Sequence, residues 1–185
     1  MSARIWRTAM SFLDRIAAAI LPAASAEDRA EARLRLEELA AVQTFAEDIL
    51  RQHKQIEELF AQARNQSGDA AQATVTELAM LLTGHSMAEE AVIYPEISAK
   101  SSKAHAGMAY EEHAMTKIQL AELQKLRPGT KEWIEKLGHI ESAVQQHVYQ
   151  EESSWLPDLI RHAPVDERQR MSAEFRDHFD RFDHT

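Results

Sequence analysis

His85-Ser-Met-Ala-Glu89-Glu90-Ala-Val-Ile-Tyr-Pro95-Glu-Ile97 aligns without a gap with His147-Val-Tyr-Gln-Glu151-Glu152-Ser-Ser-Trp-Leu-Pro157-Asp-Leu159. Each copy has a histidine, glutamates four and five residues on, and a proline ten residues on. Positions four apart share one face of an α-helix, so His85 with Glu89 and His147 with Glu151 point the same way. The flanking residues show which way that is. Leu78, Leu82, His85, Glu89 and Val92 form one stripe at steps of three and four. Trp133, Leu137, Ile140, Val144, His147, Glu151 and Trp155 form another, so the polar pairs continue lines of core residues.

The repeat extends upstream. His53 precedes His85 by 32 residues, and His113 precedes His147 by 34. His53 stands in the stripe Phe45, Ile49, Ile56, Phe60, and His113 stands with Ala109 or Tyr110, Thr116, Leu120 and Leu123. The unit is a helical hairpin offering His and then His-x-x-x-Glu, and it occurs twice. Composition agrees with a helical chain. Among 185 residues there are 5 glycines and 5 prolines, well under average usage of roughly 12% for the two together. The expected fold is all-α: an up-down-up-down antiparallel four-helix bundle with extra N-terminal and C-terminal helices.

The helices are expected over 27–65, as one long element or two nearly collinear ones, then about 70–99 with a disturbance at Pro95. A third starts after Ser101-Ser102, a fourth runs from the Thr130 cap to about His162, and a last one spans Val165 to about Phe182. Ahead of them, Ile5, Trp6, Phe12, Leu13, Ile16 and Ile20 make the apolar face of a short helix ended by Pro22. Arg4, Arg7, the run Ile16–Leu21 and Ala24-Ser25-Ala26 imitate a secretory leader, but Asp14 and Arg15 fall where its apolar segment belongs. No stretch reaches the roughly 18 apolar residues of a membrane span. The expected organisation is residues 1–41 as a helical extension, 42–162 as the metal-binding bundle and 163–185 as a C-terminal helix, in a cytoplasmic protein.

No cysteine is present, so thiolate zinc, iron–sulfur and cysteine-nucleophile chemistries are excluded, and any metal must take nitrogen and oxygen ligands. A net charge of −9 has the wrong sign for binding nucleic acid through its phosphates. One inward histidine is ordinarily a core residue bonded to a carbonyl. Four imidazoles and two carboxylates in one interior are costly to desolvate and bring no matching donors, whereas divalent cations satisfy all six. None of the nine histidines has an acid three residues before it, so the Glu-x-x-His pattern of ferritin-like bundles is absent.

The doubled His-x-x-x-Glu-Glu with its trailing proline, across about Val42 to His162, resembles the hemerythrin-like (HHE cation-binding) family. The resemblance implies a non-haem di-iron centre ligated by His53, His85, Glu89, His113, His147 and Glu151. The two glutamates would act as bridges, together with an oxo or hydroxo group. Oxygen-carrying members place a second histidine on the third helix where this chain has Lys117, which leaves a ligand missing. Tyr110, one turn from His113, could fill that place as a phenolate, or be an ordinary half-buried tyrosine. Those carriers also set their last carboxylate five residues from the histidine, at Glu152. The stripe favours Glu151, with Glu152 rotated about 100° away and dispensable.

The resemblance and the missing ligand together imply a protein that binds or reacts with oxygen, hydrogen peroxide or nitric oxide. The competing expectations are an iron or oxygen sensor acting through its terminal helices on a second copy or another protein, and a structural site for zinc or manganese. His105, His139, His162, His178 and His184 read as surface or capping residues, and Glu57 as part of a solvated face. Phe175, Phe179 and Phe182 read as a surface that packs on the bundle or on a partner.

Overall fold

A computed structural model describes residues 23–40 and 45–183. Among them all regular structure is helical: α1 (Ala26–Ala40), α2 (Phe45–Asn65), α3 (Gly68–Ala88), α4 (Tyr94–Lys100), α5 (Lys103–Leu123), α6 (Lys131–Gln150), α7 (Leu156–His162) and α8 (Val165–Asp183). Single π-helical turns, Glu89–Ile93 and Glu151–Trp155, carry α3 into α4 and α6 into α7. The expected four-helix bundle is therefore α2, α3–α4, α5 and α6–α7. The short apolar helix expected before Pro22, the boundary between residues 41 and 42, and His184 lie outside the described residues.

The starts of the bundle helices follow from local chemistry. Ser102 accepts a hydrogen bond from the His105 amide, and Thr130 accepts one from Trp133, each at 3.3 Å, so both cap orphaned first-turn donors. Gly129, at φ +83, makes the left-handed turn into Thr130. The second bundle helix starts at Gly68 rather than Ala70, because Gly68 takes φ +57 where a side chain would be strained.

The prolines explain the two π turns. Pro95 and Pro157 have no amide hydrogen to donate, and in a straight α-helix their rings would strike the carbonyl four residues back. One extra residue in the preceding turn removes that clash. The Tyr94 amide bonds back to the Glu89 carbonyl and the Leu156 amide to that of Glu151, five residues away in each case.

One expectation is overturned. Residues 27–65 are neither a continuous helix nor two collinear ones: α1 doubles back along α2. Arg33 pairs with Glu57 and Lys54 with Glu37, each at 2.7 Å, positions that mirror one another about residue 45. The apolar period ran through the turn because α1 and α2 each bury one face, and periodicity does not report direction. Nor is Glu57 simply solvated, since it holds Arg33.

The bundle interior has two apolar regions. One gathers Leu36, Phe45, Ile49, Ile93, Leu156, Leu159, Met171 and Phe175; the other gathers Ile56, Phe60, Leu78, Leu123, Trp133, Leu137 and Val144. His53, His85, His113 and Glu151 are buried at chain positions between the two, and Glu89 and His147 are buried one residue inside the first and the second respectively. The first region draws on α1 and α8 as well as on the bundle. α8 lies along α3, where Gly84 leaves room for the rings of Phe179 and Phe182: a Cβ there would come 2.7 Å from Phe182. Arg176 on α8 also reaches the buried Asp48 at 2.6 Å. No helix among the described residues is long and apolar enough to cross a membrane.

Phe175 is wholly buried, and its ring meets the edge of His85 at 6.5 Å between centroids. Phe175→Ala is expected to cost about 3–5 kcal/mol, the range for emptying a buried phenylalanine site, read as a lowered denaturant midpoint. An unchanged midpoint would show that α8 is not part of the core.

Candidate metal centre

Each bundle helix contributes one histidine to the polar layer, and the π turns contribute the carboxylates. Glu89 and Glu151 are the first residues of their π turns and are fully buried. Glu89 Oε2 lies 3.2 Å from His85 Nε2 and 3.5 Å from His113 Nε2. Glu151 Oε2 lies 3.3 Å from His53 Nε2 and 3.6 Å from His147 Nε2. Each glutamate therefore faces one histidine of its own hairpin and one of the other. The ligand atoms fall into two groups that share Glu89: His53, His85, Glu89 and Glu151, and Glu89, His113 and His147, each within 4.8 Å of one another. The structure brings together all six residues read from the sequence.

The opposite nitrogens explain the orientation of the rings. His53 Nδ1 meets Glu152 at 2.9 Å, His85 Nδ1 meets Gln52 at 2.8 Å, His113 Nδ1 meets Glu90 at 3.1 Å and His147 Nδ1 meets Glu112 at 2.7 Å. An oxygen at Nδ1 holds the proton there and turns Nε2 inward, the arrangement that raises the basicity of metal-binding imidazoles. The pattern obeys the repeat. Gln52 and Glu112 immediately precede the first histidine of each hairpin, and Glu90 and Glu152 are the second glutamates of the motif. These four were missed because they lie off the apolar stripes. The signal was present, however, in the doubling of the Glu-Glu pair. Glu152 is not a spare carboxylate: its side chain is 1% exposed, and it orients His53 across the hairpin boundary.

The tyrosine of the centre is Tyr94. Its hydroxyl donates to Glu151 Oε1 at 2.8 Å and lies 3.2 Å from Glu89 Oε2, 3.0 Å from His113 Nε2 and 3.3 Å from His147 Nε2. In an unbroken α-helix Tyr94 would sit about 140° around from Glu89, facing away. The extra residue of the π turn removes roughly one 100° step and swings it inward, and helical periodicity could not foresee this. Tyr110, for which both a phenolate ligand and an ordinary tyrosine were open, is half-exposed and donates to the Glu90 carbonyl at 3.0 Å. Lys117, at the position of the missing histidine, donates to Glu90 at 2.9 Å and so supports the acid that orients His113. Of the remaining histidines, His139, His162 and His178 are exposed as expected, whereas His105 is half-buried and stacks on Trp155.

The donor set fits a cation. His53 Nε2, Glu89 Oε1 and Glu151 Oε2 are buried and make no hydrogen bond, although such atoms are nearly always satisfied in folded proteins. Imidazole nitrogens with bridging-capable carboxylates and no thiolate suit iron, manganese or zinc.

Fold and centre together define a helical-bundle protein with a buried histidine–carboxylate group able to hold metal. Residues 44–159 match the hemerythrin HHE cation binding domain, and the chain belongs to that family. An uncharacterized hemerythrin-like protein of Schizosaccharomyces pombe is 28% identical over 97 residues, which cover 51% of this chain and 48% of the yeast protein. A protein named DNA nickase from Nostoc sp. is 25% identical over 95 residues, covering 51% of this chain and 27% of that one. The aligned part thus spans about half or less of these relatives. No solved structure matches.

Without metal, protons take the place of cations. Burial and the charge of Glu151 push Glu89 well above the usual carboxylate range. Burial would do the same to Glu151, but His147 and His53 outweigh it and hold Glu151 ionised. Burial likewise disfavours the His53 imidazolium, yet the neighbouring Glu151 and Glu152 carboxylates push its pKa up to about 10. Burial lowers His85, with the charge of His53 adding to the effect, and burial also lowers His113. A raised folded-state pKa stabilises fully below the unfolded value of 6.5 and stops stabilising above the folded value. The metal-free chain should therefore lose stability as pH rises from about 6.5 to 10. Denaturant midpoints at pH 6.5 and 9.5 check this, and a higher midpoint at pH 9.5 would refute it.

Proposed function

We propose that this chain is a non-haem di-iron protein that binds or reacts with a small oxidant, oxygen, hydrogen peroxide or nitric oxide, in the cytoplasm. In this reading His53 and His85 would hold one iron, His113 and His147 would hold the other, and Glu89 and Glu151 would be shared between them. The observation that carries it is that each of these glutamates lies between one histidine of each pair. Residues 42–162 form the metal-binding unit, with 1–41 and 163–185 attached to it.

Bound there, a pair of irons supplies electrons and open coordination positions for a small oxidant. The chain supplies the rest. Glu90, Glu112, Glu152 and Gln52 fix the imidazole planes, so the site is organised before it is filled. Tyr94 offers a phenol to the His113–His147 half, where Lys117 provides no ligand. Its proton is held firmly: burial, then the charges of Glu151 and Glu89, push the phenol well above its ordinary pKa. Only a cation beside it would release that proton.

Beside the ligands a cavity of about 20 Å³ is lined by His85, His113 and His147 together with Ile56, Leu82 and Val144. A water molecule needs roughly 10–15 Å³ on this measure. The space is enough for one water-sized molecule or a diatomic, and Lys117 and Thr116 belong to its lining as well. Size and apolar lining both favour a diatomic or peroxidic ligand.

Metal analysis of protein purified anaerobically and loaded with ferrous iron is the test. Close to two irons per chain are expected, with His85→Ala and His147→Ala each lowering occupancy and thermal stability together, because binding is coupled to folding of the polar layer. Two zinc or manganese ions in place of iron, with a spectrum indifferent to oxygen, peroxide, nitric oxide and azide, would leave only a structural site.

A second outcome follows from the position of Tyr94. Iron-loaded protein exposed to oxidant should show a broad visible phenolate band that Tyr94→Phe abolishes and Tyr110→Phe retains. A band that survives Tyr94→Phe would remove Tyr94 from the ligand set.

A further inference from the structure

His53 is oriented by a chain of contacts that begins outside the bundle. Arg33, near the middle of α1, donates through Nε and Nη2 to Glu152, at 3.2 and 3.0 Å, and through Nη1 and Nη2 to Glu57, at 2.7 and 2.8 Å. Glu152 in turn accepts from His53 Nδ1 at 2.9 Å. The Arg33 side chain is only 17% exposed and that of Glu152 only 1%, so water does little to screen or replace these contacts. Without Arg33, Glu152 would be a buried carboxylate with His53 as its one remaining partner among the described residues.

The pseudo-twofold counterpart is built differently. Glu90, which orients His113, receives its cation from Lys117 on α5, inside the bundle, and its side chain is 28% exposed. The two halves of the centre are thus supported from different places. The His113–His147 half is braced within the bundle, and the His53–His85 half is braced by the helix that precedes it.

We propose that Arg33 is a positioning residue for the His53–His85 half, and that docking of α1 and metal occupancy of that half reinforce each other. This rests on the dinuclear reading of the centre. By linkage the effect is reciprocal: an ion that draws on His53 tightens the Glu152–Arg33 contact and holds α1 down, and a docked α1 holds the ion. α1 packs against the π turn that carries Glu151 and Glu152, on the same side as α2, so its departure would uncover Leu36 and Ala40, which are buried in the core. An exposed apolar face of that kind is what a protein partner reads.

The test compares full-length wild type with Arg33→Gln, Arg33→Lys and Arg35→Gln, each loaded anaerobically with ferrous iron and then challenged with a strong ferrous chelator. Arg35 lies on the same helix but is exposed and, among the described residues, pairs with Glu31 alone, so its variant controls for loss of a charge from α1. In wild type two irons should leave slowly. In Arg33→Gln one of the two should leave about tenfold faster, the low end of the range for changes beyond the first ligands, while the other keeps its rate. Arg33→Lys keeps the charge without the two-pronged grip and should fall between. Arg35→Gln should match wild type.

Amide exchange over residues 26–40 gives an independent readout in the same samples. Loading with iron should slow exchange there in wild type and leave it unchanged in Arg33→Gln, even if that variant is less stable overall. Identical release profiles in wild type and Arg33→Gln, or equal protection of α1 with and without iron in wild type, would overturn the proposal. Wild type that never holds two irons would overturn the dinuclear reading itself, and this inference with it.

Discussion

Six ionisable groups share a layer from which water is excluded, and no arrangement of these groups alone is electrically comfortable. Two carboxylates so close together cannot both ionise unless positive charge lies between them. Four imidazoles offer nitrogen lone pairs that apolar neighbours cannot satisfy. The fold answers by giving every imidazole an oxygen on its outward side, so that the strain is confined to the inward atoms. The two buried apolar regions hold that layer closed, since turning one of its groups out to solvent would leave a void among close-packed side chains. Much else in the molecule serves this constraint: the π turns aim the acids, and α1 and α8 cover the region that would otherwise open.

Much of this was legible in the residues, because two repeats carry it. The three-and-four stripes placed His53, His85, His113 and His147 inside, and the doubled motif identified Glu89 and Glu151. Family membership and the helical bundle stand on the same residues. Two kinds of feature were not legible. Direction was one: α1 and α2 each show a helical period, and nothing in the period of residues 27–65 says that the chain reverses between them. Local deviation from 3.6 residues per turn was the other. Tyr94 is hidden from a strict helical wheel because Pro95 forces an extra residue into the preceding turn, and the phenolate alternative was therefore raised for Tyr110 instead.

The second glutamates show a subtler limit. Glu152 was assigned outward by angle, Glu90 holds the equivalent place in the repeat, and in angle both do point away from the stripe. They point toward the neighbouring hairpin, however, and there each finds the histidine it orients. A helix in a bundle has no simple outside, since the direction away from its own stripe is often the flank of the next helix. Arg33 extends the same logic by a further step, reaching from outside the repeat to an acid inside it.

The reciprocal use of the two hairpins has a consequence for how the molecule assembles. Each hairpin is joined by a short connection, and its helices can pair through local contacts, which form early. Neither hairpin carries a complete set of ligands, because Glu89 and Glu90 serve His113 while Glu151 and Glu152 serve His53. A hairpin formed alone therefore presents its two histidines and one glutamate, while the second glutamate and the acid that turns one of those histidines inward wait on the other hairpin. The last group of each half arrives only when the hairpins meet, so closing the bundle and completing the centre are one event.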